Sequence, residues 1–178
     1  MSIKNATFLV FPCLLSSFFV SAQAADALIG WGRVNMQGAI IDTACAIAVA
    51  SREQTIDMGL VPLDEIERNG QGRSKPLAID LVNCTTNRPG KVDWKQFQVT
   101  FDGEADGDGF SIHGTAAGVA LQITDTVGNI ALPGTALPIM AVTPGERQLN
   151  YTLRLIANRH ALKSGDYFSA IRFKLDYF

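Results

Sequence analysis

Apolar and polar residues alternate along most of this chain. Leu77, Ile79 and Leu81 follow Pro76 and lead to Cys84. Phe97, Val99 and Phe101 repeat the spacing, as do Val119, Leu121 and Ile123, set between Ala120, Gln122 and Thr124. Leu149, Tyr151, Leu153 and Leu155 form a further strong run, with weaker ones at 54–58 and 137–142. A period of two is that of a strand with one buried face. Turn chemistry separates the runs: Pro89-Gly90, the acidic, glycine-rich 102–109, Val127-Gly128-Asn129 and Pro133-Gly134. The charged stretch 65–75, with Asn69-Gly70 and Gly72, reads as a solvated loop. No stretch keeps a helical period over a normal helix length. Seven or so short strands with glycine and proline turns predict an all-β antiparallel sandwich.

The terminal stretch 165–178 is the most strongly patterned. Tyr167, Ile171, Phe173, Leu175 and Tyr177 share one parity with Ser169, while Arg172, Lys174 and Asp176 lie between them. Gly165-Asp166 supplies the turn that starts it. A strand this apolar is expected inside a sheet, because an exposed apolar edge invites pairing with other chains. Something must therefore cover its far side.

At the other end, Lys4, the apolar run 6–20 and the small-x-small Ala22-Gln23-Ala24 predict a signal peptide over 1–24. The apolar run is short of the roughly 20 residues that span a bilayer. In 25–40, Leu28, Val34, Met36 and Ile40 share a parity with Gly30, Gly32 and Gly38. This is a strand whose apolar face lacks some side chains, and such glycines often mark close approach of another backbone. The phase then flips: Ile41, Cys45, Ile47 and Val49 lie on the other parity. One strand cannot keep a single buried face through such a switch. An arm over 25–40 and a body over 41–178 are expected. If the arm's apolar face, Val34, Met36, Ile40 and Leu28, were buried in a groove of another molecule, it would contribute roughly 6–12 kcal/mol before ordering. Folding back on its own body, or disorder, is the rival outcome.

Composition adds little. Without Lys4, 14 basic residues stand against 17 acidic ones, a balance that suggests neither nucleic acid nor an anionic membrane as partner. Export places Cys45 and Cys84 in an oxidising compartment, so a disulfide between them is the default over free thiols. Closing a loop of that size contributes about 4 kcal/mol in the chain-entropy picture. With two histidines, His113 and His160, and no CxxC, no metal site is expected. Ser111, His113 and Asp102 or Asp108 form no credible triad, and Asp102, Asp106 and Asp108 lack the spacing of a calcium loop. Neither an enzyme nor a cofactor is expected.

Five features resemble the pilin subunits of chaperone–usher pili. They are the alternating arm Val34-x-Met36-x-Gly38-x-Ile40-Ile41, Cys45 shortly after it, Cys84 in Leu81-Val82-Asn83-Cys84, the run Gly118-Val119-Ala120-Leu121-Gln122-Ile123, and Gly165 paired with the penultimate Tyr177. The resemblance spans nearly all of the chain beyond the signal peptide. It implies an incomplete immunoglobulin-like sandwich lacking its final strand, with an N-terminal donor-strand arm. Val34, Met36, Gly38 and Ile40 would donate. Gly165, Tyr167, Ile171, Phe173, Leu175, Tyr177 and Phe178 would border the acceptor groove, with the Phe178 carboxylate held by a periplasmic chaperone. The outer-membrane usher and other pilin subunits would be the remaining partners, on a fimbrium at the surface of a Gram-negative cell. Residues 55–59, 99–103 and 149–178 look most like the small subunit that ends assembly of P pili and anchors the rod. An ordinary rod or adaptor subunit is the alternative. A carbohydrate-binding adhesin fits less well, because no separate lectin domain has room.

Overall fold

The computed structural model describes residues 32–38 and 40–178. The expected signal peptide and the arm positions Leu28 and Gly30 lie outside the described residues. Residues 32–38 and Ile40 form no regular secondary structure, and Val34, Met36 and Ile40 are exposed. Ile41–Phe178 is a compact unit of its own.

In that unit the elements follow the alternation closely. β1 (Ala46–Ile47) leads into a single helical turn, α1 (Val49–Arg52), and then a second helix, α2 (Leu63–Asn69). β2 (Lys75–Cys84), β3 (Gln96–Asp102), the small hairpin β4 (Ala105–Asp106) and β5 (Gly109–Phe110), and β6 (His113–Gly114) come next. β7 (Val119–Asp125), β8 (Ile130–Ala131), β9 (Met140–Ala141), β10 (Gly145–Ala157), β11 (Tyr167–Phe168) and β12 (Arg172–Tyr177) complete the chain. The larger sheet runs β1-β2-β10-β7-β5-β4, with β8 also beside β7, and the second runs β12-β3-β9. Every pairing is antiparallel.

The registers explain why these strands hold together. Leu149 lies opposite Ile79, Leu153 opposite Ile123, and Leu155 opposite Leu121. Apolar side chains thus meet across neighbouring strands on one face, which is the unit of sheet stabilisation. The second sheet closes over them with Phe97, Val99 and Phe101, all fully buried. Phe101 meets Tyr151 edge-on at 4.9 Å between ring centroids, joining β3 of one sheet to β10 of the other.

Three expectations need correcting. The charged stretch after Pro62 is not all loop, since Leu63–Asn69 is helical with Ile66 buried. Asp64 pairs with Arg68 one turn on at 2.7 Å, and Asn69-Gly70 ends the helix, with left-handed Gly70 donating its N–H to the Ile66 carbonyl. Seven residues are too few to display a period, so the helix is invisible to pattern reading. The set Ile41, Cys45, Ile47 and Val49 is not one buried face either. Only Cys45 is buried, and Ile41 and Val49 are exposed, because β1 is two residues long and the chain coils into α1 directly after it. Finally, 54–58 belongs to no strand.

Covalent and ionic pins hold the start of the unit. Cys45 and Cys84 form a disulfide that ties β1 to the end of β2. Just before it, the Asp42 carboxylate meets Arg88 at 2.7 Å and Lys91 at 2.8 Å. The Arg88 guanidinium lies 3.8 Å from the centre of the Trp94 ring, which in turn packs on Tyr177. Hydrogen bonds from Arg88 and then Lys91 hold the Asp42 pKa below its ordinary value.

Glycine settles the approach to the terminal strand. A Cβ on Gly165 would overlap the Thr115 hydroxyl and lie 2.6 Å from the Ala116 nitrogen. The same neighbours bond the next residue: Thr115 and Ala116 donate their N–H groups to the Asp166 carbonyl at 2.9 and 3.1 Å. Gly118, at φ +81°, is as tightly placed against Ala161 and Leu162.

Two outcomes follow for measurement. Gly165→Ala should destabilise the protein by about 1–3 kcal/mol through overpacking, read as a lowered urea midpoint. Because the folded Asp42 pKa is depressed, its contribution is present above the unfolded pKa and lost as pH falls through the folded one. The stability gap between wild type and Asp42→Asn should therefore close in acid below about pH 4 and persist at neutral pH.

Candidate functional site: an unpaired strand edge over an apolar groove

Among the described residues the terminal strand has one neighbour. β12 pairs with β3 in the register Phe173 to Phe101, Leu175 to Val99 and Tyr177 to Phe97. On its other edge no strand of the described residues is present. The expectation of an interior strand is thus corrected for the chain alone. Within the described residues no segment is left to fill the place, so a strand with an interior pattern stands at an edge. Phe173, Leu175 and Tyr177 are only half-buried on the inward face, whereas their partners on β3 are fully buried.

A groove of about 1290 Å³ opens beside this edge. Its floor is the core itself, including Phe101, Leu121, Ile123, Leu153 and Leu155. One wall is the chain from Lys163 to Phe173, and the facing wall is the chain from Ser51 to Val61. That second wall is pinned at its start, where Ser51 Oγ accepts the Asp80 N–H at 3.0 Å and Gln54 donates to the Ala78 carbonyl at 2.9 Å. Across 55–60, no backbone group bonds to another backbone group among the described residues. The stretch 54–58 therefore has no ladder to make it the strand the sequence suggests. The 55–60 wall offers unpaired main chain, the opposite wall is bonded along 163–168 to 113–117, and the space between them is floored with apolar side chains.

Helix α2 contributes Leu63 and Ile66 to the groove lining. Its exit is fastened to β10 by Gly72 N–H to the Leu155 carbonyl and Ala157 N–H to the Gly70 carbonyl, each 2.9 Å.

The structure brings some of the expected site residues together and separates others. Gly165, Tyr167, Ile171 and Phe173 line the groove. Leu175 and Tyr177 continue the same face past it, and Tyr177 sits between Trp94 and Phe97 with both ring centroids at 5.8 Å. Burial raises the Tyr177 pKa, partly offset by a backbone hydrogen bond at Cys45. Phe178 is half-exposed, but its main chain is tied to the start of β3: its N–H bonds the Gln96 carbonyl at 3.0 Å, and its carbonyl accepts the Gln96 N–H at 2.9 Å. Ser169, the polar member of the inward parity, donates its hydroxyl to the Ser111 carbonyl at 2.7 Å. Val34, Met36, Gly38 and Ile40 belong to the other unit of the chain. Sequence reasoning missed the facing wall, although the weak run at 54–58 was its trace.

No family model matches the chain. It is 35% identical over 150 residues to the PRS fimbrial minor pilin protein of Escherichia coli, covering 82% of this chain and 77% of the relative. The same figures hold for the PAP fimbrial minor pilin protein of Escherichia coli. The chain belongs to the fimbrial pilins of chaperone–usher pili. The fold of this pilin also matches a subunit in a solved chaperone–usher pilus, with a TM-score of 0.68 at 25% identity, over 84% of this chain and 97% of that one. The incomplete immunoglobulin-like sandwich is the pilin fold, and the protein is a structural subunit rather than an enzyme.

An unpaired edge has a measurable signature in this pilin. Amides of β12 that face away from β3, and those of 55–60, should exchange with solvent quickly in the isolated chain. They should slow by at least about tenfold when a strand occupies the groove, while the amides of β10 stay protected in both states.

Proposed function

We propose that this pilin is a minor structural subunit whose sandwich is completed by a strand lent by another molecule, and that it stands at the base of the rod as its terminator. The observation that carries the first part is the open edge of β12 above a groove floored by core residues. Strand addition at such an edge supplies backbone hydrogen bonds for affinity and alternate side-chain pockets for register. A periplasmic chaperone lends the strand first, with the Phe178 carboxylate held by basic chaperone residues, and the usher then receives the subunit. Residues 25–40 form the arm, and Val34, Met36, Gly38 and Ile40 enter the groove of a neighbouring pilin in the surface fimbrium.

The terminator reading rests on two supports. The relatives at 35% identity are minor pilins. In addition, α2 contributes Leu63 and Ile66 to the groove lining and has its exit fastened to β10, so a fixed helix borders the path of an entering strand. One observation favours an ordinary rod or adaptor subunit instead: the groove is a single continuous space along the whole of 163–173.

The test is co-expression with a pilus chaperone followed by challenge of the purified complex with a donor peptide from a rod pilin. The expected result is a stable chaperone complex, little folded protein without the chaperone, and no displacement of the chaperone by the peptide. Displacement within hours would transfer the protein to the rod or adaptor class. A well-folded monomer made without any chaperone would overturn the borrowed strand itself.

A further inference from the structure

The first anchored point of the body lies ahead of its first backbone bond. Residues 41–43 are exposed, and among the described residues none of their backbone groups bonds to another backbone group. The first backbone anchor is the buried Ala44, whose carbonyl accepts the Thr85 N–H at 2.8 Å, and the disulfide follows at Cys45. Upstream of both stands the Asp42 carboxylate. One of its oxygens, Oδ2, accepts from Arg88 at 2.7 Å and from Lys91 at 2.8 Å.

Exposed ion pairs contribute little when both partners are mobile. Here the cations sit on a braced loop. Arg88 N–H donates to the Asp93 carboxylate at 3.1 Å, Lys91 N–H to the Arg88 carbonyl at 2.9 Å, and Trp94 N–H to the Thr86 carbonyl at 2.8 Å. The Arg88 side chain is only 21% exposed, and its guanidinium lies over the Trp94 ring, which packs on Tyr177 at the end of β12. The start of the body is thereby tied, through Arg88 and Trp94, to the strand with the open edge.

We propose that Asp42 is a positioning residue for strand donation: its clamp on Arg88 and Lys91 fixes where the arm leaves the body. The inference rests on the reading of 25–40 as a donated strand. Without the clamp the anchor retreats from Asp42 to Ala44, and two more residues become free tether. Two extended residues span about 7 Å. They are also one full period of strand alternation. A slip of one residue turns the apolar face of the arm outward and is forbidden by burial, but alternation is blind to a slip of two. A tether with that much slack permits such a slip, and a clamped one opposes it.

The test is backbone amide relaxation in the full chain held by a pilus chaperone, and again after its arm is offered to a rod pilin supplied from a chaperone complex. In wild type, Ile41, Asp42 and Thr43 should show order parameters of about 0.85, as rigid backbone does. In Asp42→Asn they should fall below about 0.6, while Ala44 and Cys45 stay unchanged. Asp42→Glu, which keeps the charge, should restore most of the lost order. Once the rod pilin has taken up the arm, Asp42→Asn should shorten the tumbling time of the Ile41–Phe178 unit relative to wild type. Mobile 41–43 in the wild type, or unchanged order or tumbling in Asp42→Asn, overturns the proposal. Loss of order that spreads to Ala44 and Cys45 makes Asp42 a general stabiliser and overturns it too. If the rod pilin never takes up the wild-type arm, donation is what fails, and the order at 41–43 still decides the clamp.

Discussion

A strand must satisfy two edges and two faces, and β12 satisfies one edge. Its hydrogen bonds to β3 are complete, and its inward side chains meet Phe101, Val99 and Phe97 in register. The opposite edge carries main-chain groups with no strand to receive them, and such groups are unfavourable unless they meet water or another backbone. Water can reach them only because the groove is open, and an open groove also wets the half-buried Leu77, Ile112 and Phe173 that line it. The same vacancy therefore exposes polar backbone and apolar core together, and a single added strand covers both. Each apolar side chain laid into the groove would be stabilising by about 1.5–3 kcal/mol.

The remainder of the body is organised to keep the two walls in place without closing the gap. On one side, Ser51 and Gln54 pin the entrance of the facing wall to β2. The disulfide ties β1 to the far end of that same strand. On the other side, the close passage of Gly165 against Thr115 and Ala116 fixes where the terminal segment begins, and the stack of Trp94, Tyr177 and Phe97 fixes where it ends. Interior packing is dense and does not deform continuously, so walls anchored at both ends hold a gap that a flexible pair would collapse into. The arrangement also explains why Gly165 and Tyr177 come as a pair. One is the only residue small enough for its place, and the other fills the space at the opposite end of the same strand.

The pilin framework thus divides into a finished and an unfinished half. β2, β10 and β7 form a sheet centre in which every strand has two neighbours, and its registers place Leu149 opposite Ile79, Leu153 opposite Ile123 and Leu155 opposite Leu121. The second sheet has three strands, one of them only two residues long. The longer continuous ladders lie in the first sheet, and the open edge lies in the second.

The strands were legible in the chain itself. A period of two with one buried face is a local property, so β2, β3, β7, β10 and the terminal strand could be read from alternation. The cysteine pair and the Gly165–Tyr177 spacing were equally local signals. Tertiary structure decided what alternation cannot encode, namely which strand has a neighbour on each side. It left 54–58 without a strand partner, made a helix of Leu63–Asn69 whose seven residues are too short to show a period, and set β12 at an edge despite its interior pattern. Pairing depends on where distant segments arrive in space, and for this pilin one of the segments that the pattern of β12 demands is absent from the folded body.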